Sequence, residues 1–256
     1  MSETNDDSGW LERQVDDHPL PVFFAVLSGA HMYGFPSADS DFDVRGAHLV
    51  PLDELLGLET GHQTVDQMYG LGGREVDVVT HDLAKFMRLL LDKNAMVLEQ
   101  VFSPHLIAAD DAFEELRDIA KDCVTRHHAH HYLGFVRSRR EAFEETQRLK
   151  PLLYAYRGCL SGIHLMRTGR VESNLSRLAD EYEHAEIHDL VEAKQAGTEK
   201  MELPENLAAD HADRLDALVE ELERAHEDSD LPEGYPPAAR ARFNDLLVRV
   251  RLRSWG

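Results

Sequence analysis

Asp41 and Asp43 stand two residues apart in the run Ser40-Asp-Phe-Asp-Val-Arg-Gly46. In an extended strand that spacing sends both side chains out of one face, about 7 Å apart along the backbone. Two carboxylates so placed repel each other unless something positive lies between them, and one or two divalent ions are the usual answer. Phe42 and Val44 then point the other way and can hold the strand in a core. A third acid, Asp77, sits between Val76 and Val78 in another strand-like run. There it can complete a second metal site and help deprotonate an attacking hydroxyl. Glu75 is expected to point away from it, and Asp66 is the rival for its place. Upstream, an apolar run ends at Gly29, where a side chain would block close approach of an anion. A short helical turn after Gly29 would present free backbone N–H groups near Ala30 and His31, a natural seat for phosphate. An anion seat beside a cation seat describes a place for a metal-bound nucleoside triphosphate.

The elements that must position these residues follow from the hydrophobic pattern. Val22–Ser28 is a continuous apolar run that fits a buried strand. Phe42–Val50 reads as a second strand stopped by Pro51, with a short helix around Asp53–Leu58. His62–Met68 and Glu75–Thr80 read as two more strands, with Gly70, Gly72 and Gly73 as the turn. After Thr80 the apolar period lengthens to about 3.6, and Asp82 and Asn94 are expected helix caps. Ser103-Pro104 ends the second of these helices. Beyond it the pattern predicts helices over 110–131, 132–148, 150–168, 181–196, 206–228 and 235–253. Residues 1–20 read as a polar lead-in with one or two helical turns. The expected fold is α+β, with a mixed β-sheet flanked by helices in a catalytic domain over 1–105 and an α-helical domain over 106–256.

These residues also carry a resemblance. Gly29-Ala30 after a strand, ten intervening residues before Asp41, the Asp-Phe-Asp triplet and a later acid between valines resemble the DNA polymerase β-like nucleotidyltransferase superfamily. The fuller strings Ser28-Gly-Ala-His-Met-Tyr-Gly34 and Ser40-Asp-Phe-Asp-Val-Arg-Gly46 resemble a narrower group of predicted nucleotidyltransferases associated with RNA repair. Lys93-Asn94, Leu98-Glu99 and Lys150…Tyr154…Arg157 are similar to that group too, so the likeness spans about residues 22–170. It implies transfer of a nucleoside monophosphate from an NTP to an acceptor hydroxyl, with two Mg²⁺ or Mn²⁺ ions on Asp41, Asp43 and Asp77. RNA, tRNA included, is the implied acceptor. Alanine stands at position 30, where the superfamily usually has Ser or Gly. A serine hydroxyl would help hold the terminal phosphate, so weaker or altered triphosphate binding is expected. Two other readings stand beside this one: transfer to a protein partner, as in a toxin–antitoxin pair, and a non-catalytic nucleotide or RNA sensor.

Lys150, Tyr154 and Arg157 have helical spacings of four and three and so share one face. Pro151 suits the first helical position. The three are expected to contact triphosphate, base or acceptor strand. Arg45, on the face of Asp43, is expected to meet a phosphate or a carboxylate, and Glu99 to brace a domain junction. His127, His128, His130 and His131 invite a zinc reading, with His127 and His131 four apart. No acid or cysteine pattern flanks them, so packing or RNA stacking competes.

Composition narrows the setting. There are 48 Asp and Glu against 27 Lys and Arg, a formal net charge of −21, and the basic residues are 21 Arg and only 6 Lys. A lysine-poor acidic surface suits a cytoplasm of very high salt, where self-repulsion is screened. Residues 126–177 break the trend, with ten Arg or Lys against four Glu, a local charge of +6. The remainder of the chain carries 17 basic and 44 acidic residues. Phosphate groups are one reason to keep such a stretch, and internal ion pairs are the other. Two separate cysteines argue against a disulfide framework. The acidic N-terminus lacks a secretory pattern, and no apolar run is long enough to cross a bilayer. A cytoplasmic location with no membrane partner is expected.

Overall fold

The computed structural model describes residues 4–58, 61–71, 74–197 and 201–255. Helix α1, Thr4–Asp16, is longer than the one or two turns expected. Its Trp10 and Leu11 pack on one face of the sheet, which explains why so polar a segment is helical. The apolar run becomes β1, Val22–Leu27, with Phe23–Val26 fully buried. Helix α2, Gly29–Tyr33, ends at Gly34, whose φ of 86° lies in the left-handed region that glycine adopts without penalty. Strand β2, Phe42–His48, is followed by the short helix α3, Leu52–Leu56. Strands β3, Thr64–Leu71, and β4, Arg74–Asp82, pair as a hairpin. Gly70 belongs to β3 rather than to its turn, while Gly72 and Gly73 lie outside the described residues.

The five-stranded sheet has the order β3-β4-β2-β1-β5, where β5 is Leu106–Ala109. Only β2 and β4 run parallel; the other neighbours are antiparallel. Strand β5 falls beyond residue 105, in a stretch expected to be helical. Four residues paired on one side only, and without polar alternation, carry too little period-two signal to be read as a strand. Phe42, Val44, Val76 and Val78 point toward α1. The opposite face, carrying Val26, joins the core shared with the helices.

Helix α4, Leu83–Leu91, is capped by Asp82, whose Oδ1 accepts from Ala84 N at 3.1 Å. Helix α5, Ala95–Phe102, is capped in the same way by Asn94 through Val97 N at 3.1 Å. Both caps match expectation. The helix expected over 110–131 is interrupted: α6 is Phe113–Lys121, and α7, His128–Thr146, begins after a turn. The Thr125 N–H turns to the His128 ring rather than to a helical carbonyl. Helix α8, Leu149–Thr168, is buried along most of its length, as a helix at the centre of a bundle must be. Around it pack α7, α9 (Leu175–Glu181), α10 (Glu186–Ala196) and α11 (Glu205–Glu227). The helix expected over 181–196 divides at a turn where Glu183 takes a φ of 60°. Helix α12, Pro237–Trp255, returns to α4 and α6, and Arg251 Nη2 holds both oxygens of Asp82 at 2.8 Å. One face of the sheet thus shares a core with the helices from α4 onward, while the other face packs with α1 in a second, smaller cluster. No described helix is long and apolar enough to cross a membrane.

Candidate active site

Parallel pairing of β2 with β4 sets Asp43 directly opposite Asp77. In-register neighbours project from the same face of a sheet, so the two carboxylates meet on the side that carries the helices. Arg45, two residues along β2, shares that face. Its Nη2 donates to Asp43 Oδ1 at 2.8 Å and to Asp77 Oδ2 at 2.7 Å. Its Nη1 donates to the carbonyls of Asp77 at 2.7 Å and Val44 at 3.0 Å. The expected carboxylate partner of Arg45 is therefore a pair of them. Burial raises the Asp43 carboxyl above the ordinary range; Arg45 opposes this, and the charges of Asp77 and Asp41 add to it.

Gly29 has a φ of 60°, and a Cβ placed there would lie 1.9 Å from Asp43 Oδ2. Glycine is required at this position to admit the Asp43 carboxylate as well as to make the turn. Ser28 N donates to Asp43 O at 2.7 Å, which ties the turn to β2. Ala30, the next residue of α2, is buried at the edge of the core.

Asp41 lies just before β2 rather than within it, and is exposed. It follows a turn in which Ser37 N donates to Ser40 Oγ at 2.9 Å and Ser40 N to Ser37 O at 3.0 Å. Lys194 of α10, itself buried, donates to Ser37 Oγ at 2.7 Å. Pattern reading had no way to find this lysine, because it meets the turn 157 residues away in sequence. Glu75 corrects an expectation. A period of two puts it on the same face as Asp77, and it is exposed near the start of β4. Asp66 occupies the edge strand β3, opposite Val79 and one strand farther out.

The donor set suits a hard divalent ion: carboxylate oxygens alone, with a guanidinium already in the position of a bridging positive charge. The three acids do not form a closed cage. Among the described residues, the group whose ligand atoms all lie within 4.8 Å of one another is His127, His130 and His226.

Lys150 and Tyr154 line an open groove of about 470 Å³ with Arg139, Thr146, Arg148 and Pro151. The Lys150 charge acts on Asp43. Tyr154 stands edge-on to Tyr33 of α2, with ring centres 5.6 Å apart, and to Phe35 at 5.4 Å. The groove's Tyr154 thus packs against the far end of α2, the helix that begins at Gly29. Arg139 and Arg148 both belong to the positive stretch over 126–177, and net charge alone does not distinguish them from its other arginines.

Arg157 corrects a further expectation. Its side chain is completely buried. Nη1 holds both oxygens of Glu99 at 2.7 and 2.8 Å, and the guanidinium lies 4.0 Å from the centre of the Tyr33 ring. Tyr132 OH also donates to Glu99, at 2.9 Å. Helical spacing alone cannot tell a groove-facing arginine from one turned inward; the neighbouring helices decide. Arg157 braces α2, α5, α7 and α8 together through Tyr33, Glu99 and the Tyr132 bond to Glu99.

The RNA repair pathway DNA polymerase beta family matches residues 4–249. The chain belongs to that family. Membership makes it a nucleotidyltransferase of the DNA polymerase β-like type, linked to RNA repair. Two relatives of this family protein are an uncharacterized protein of Methanocaldococcus jannaschii and the uncharacterized protein YcgL of Bacillus subtilis. The first is 30% identical over 183 residues, covering 68% of this chain and 73% of the relative. The second is 24% identical over 258 residues, covering 96% and 95%. A solved nucleotidyltransferase-like protein from Exiguobacterium sibiricum aligns over 98% of this family member and 80% of its own chain, at 11% identity and a TM-score of 0.34.

Proposed function

We propose that the protein moves a nucleoside monophosphate from an NTP to a hydroxyl on RNA, tRNA being one candidate, in a cytoplasm of high salt. The observation that carries this reading is the in-register pair Asp43 and Asp77 bridged by a single cationic side chain. Asp41, Asp43 and Asp77 would hold two Mg²⁺ or Mn²⁺ ions, which when bound neutralise charge on the phosphates and the departing pyrophosphate. Arg45 keeps the two half-buried acids paired until a cation competes for them. The Asp77 carboxylate is suited to take the proton of the attacking hydroxyl. Gly29 and Ala30 offer first-turn N–H groups, which have no partners within their helix, to the triphosphate. Lys150 contributes positive charge beside Asp43, and Tyr154 offers a ring to a base. Arg139 and Arg148 extend the groove toward an acceptor backbone.

The test is incubation with labelled NTPs, Mg²⁺ or Mn²⁺, total RNA and cell protein at high salt. Labelled RNA that disappears with Asp43→Asn and Asp77→Asn is the expected outcome. Label on protein alone would transfer the reading to a protein acceptor. Tight nucleotide binding without turnover in either metal would make the chain a sensor, and labelling that survives both substitutions would remove these acids from the mechanism.

A further inference from the structure

We infer a second metal site, for a nitrogen-preferring divalent ion such as Zn²⁺, formed by His127, His130 and His226. Their ligand atoms all lie within 4.8 Å of one another. His127 and His130 are three apart at the start of α7 and so share a face. Their rings are stacked with centres 5.6 Å apart, and the His226 ring meets that of His130 at 4.8 Å. His226 comes from the last turn of α11, 96 or more residues away in sequence. Its Nε2 is buried and has no hydrogen-bond partner within the protein. A buried polar nitrogen left in that condition is unfavourable unless something binds it.

The site's frame is already fixed. Arg126, beside His127, donates from Nη2 to the carbonyls of His226 at 2.6 Å and Glu227 at 3.1 Å. Its backbone N–H bonds Pro232 O at 3.1 Å. The chain segments that carry the imidazoles are therefore joined next to the ligands, and side-chain rotation is the remaining freedom. With Zn–N bonds of about 2.0–2.1 Å, neighbouring nitrogens of a tetrahedron stand about 3.4 Å apart. The ligand atoms, already within 4.8 Å of one another, need to close by little more than about 1 Å, a distance on the scale of side-chain rotation.

The other two histidines of the cluster are engaged elsewhere. His131 Nδ1 accepts Ala95 N at 3.1 Å, and His128 is buried against Thr125. The His127–His131 pairing suggested by sequence is thus replaced by one that includes a residue of another helix. All-imidazole donors select Zn²⁺, Co²⁺ or Ni²⁺ over the hard ions suited to carboxylates, so the site is distinct from Asp41, Asp43 and Asp77. A bound ion would fasten the start of α7 to the end of α11. Both helices pack on α8, the helix that carries Lys150 and Tyr154.

The test uses tag-free, EDTA-treated full-length protein, titrated with Co²⁺ in excess Mg²⁺ and monitored by visible absorption and thermal melting. We expect a saturable visible band at one Co²⁺ per chain and a rise in Tm. His130→Ala, at an exposed position, and His226→Gln should each weaken binding by at least about tenfold, while Asp43→Asn leaves it intact. Circular dichroism of His130→Ala verifies its fold. No saturable band, a band unchanged in both histidine variants, or a band lost in Asp43→Asn would each overturn the inference.

Discussion

At the scale of the residue, opposing forces meet on Asp43. Its neighbours Asp41 and Asp77 repel it, burial raises its carboxyl, and Arg45 opposes the rise. A carboxyl with a raised folded-state pKa binds protons on folding, so stability falls as pH rises through that window. The penalty is absent below the ordinary carboxylate range and grows as pH rises above it. Asp43→Asn should therefore raise Tm at neutral pH in the absence of divalent ions while abolishing transfer; a lowered Tm would contradict the proposed electrostatics. Asp77→Asn should cost about 10²–10⁴-fold in rate if its carboxylate acts as the base, read by labelled-NTP transfer. Gly29→Ala meets both a φ of 60° and the Asp43 carboxylate. It should cost about 1–3 kcal/mol of stability, measured by denaturant titration, together with most activity.

Elements hold these side chains through contacts that lie far apart in sequence. The turn before Asp41 is fastened by Lys194 from α10, and the helix after Gly29 is braced by Arg157 from α8. Arg157→Met leaves the Glu99 charge buried without its partner. It should destabilise the fold by about 3–5 kcal/mol, and pairing it with Glu99→Gln should recover part of that loss. Lys150→Ala, in the open groove, should instead leave Tm nearly unchanged and weaken NTP binding by nucleotide titration. If both variants altered only binding, the bracing role of Arg157 would fail. The contrast matters because Lys150 and Arg157 belong to one helical stripe in sequence, and only the packing of α5 and α7 against α8 separates them.

For the whole molecule, pH and salt should act through different groups. His48, His81 and His128 are pushed down to about 4, each chiefly by burial. Held neutral in the fold, they bind protons more readily when unfolded, so stability rises with pH across their window. It should be intact above about 6.5 and decline as pH falls toward 4, which acid titration followed by circular dichroism can measure. The excess of 48 acidic over 27 basic residues predicts a second trend. KCl should raise Tm by screening repulsion between like charges. A Tm that falls with KCl would argue against the proposed high-salt setting.

The sequence by itself determined the chemistry on offer and the strands that carry it. Glycine, the acid–apolar–acid triplet and the flanking valines impose local rules of spacing and polarity, so four strands and the caps Asp82 and Asn94 were legible, and Gly29, Asp43 and Asp77 stood out as candidates. Tertiary structure decided who meets whom. Parallel register set Asp77 beside Asp43, a distant lysine reached the Ser37 turn, and the surrounding helices turned Arg157 inward. It also drew His226 to His127 and His130, and added the short edge strand β5. Periodicity records which face of an element is apolar, but not which other element covers that face. Pairings across long sequence separations arise only when the core closes, because only then do burial and hydrogen bonding act between them.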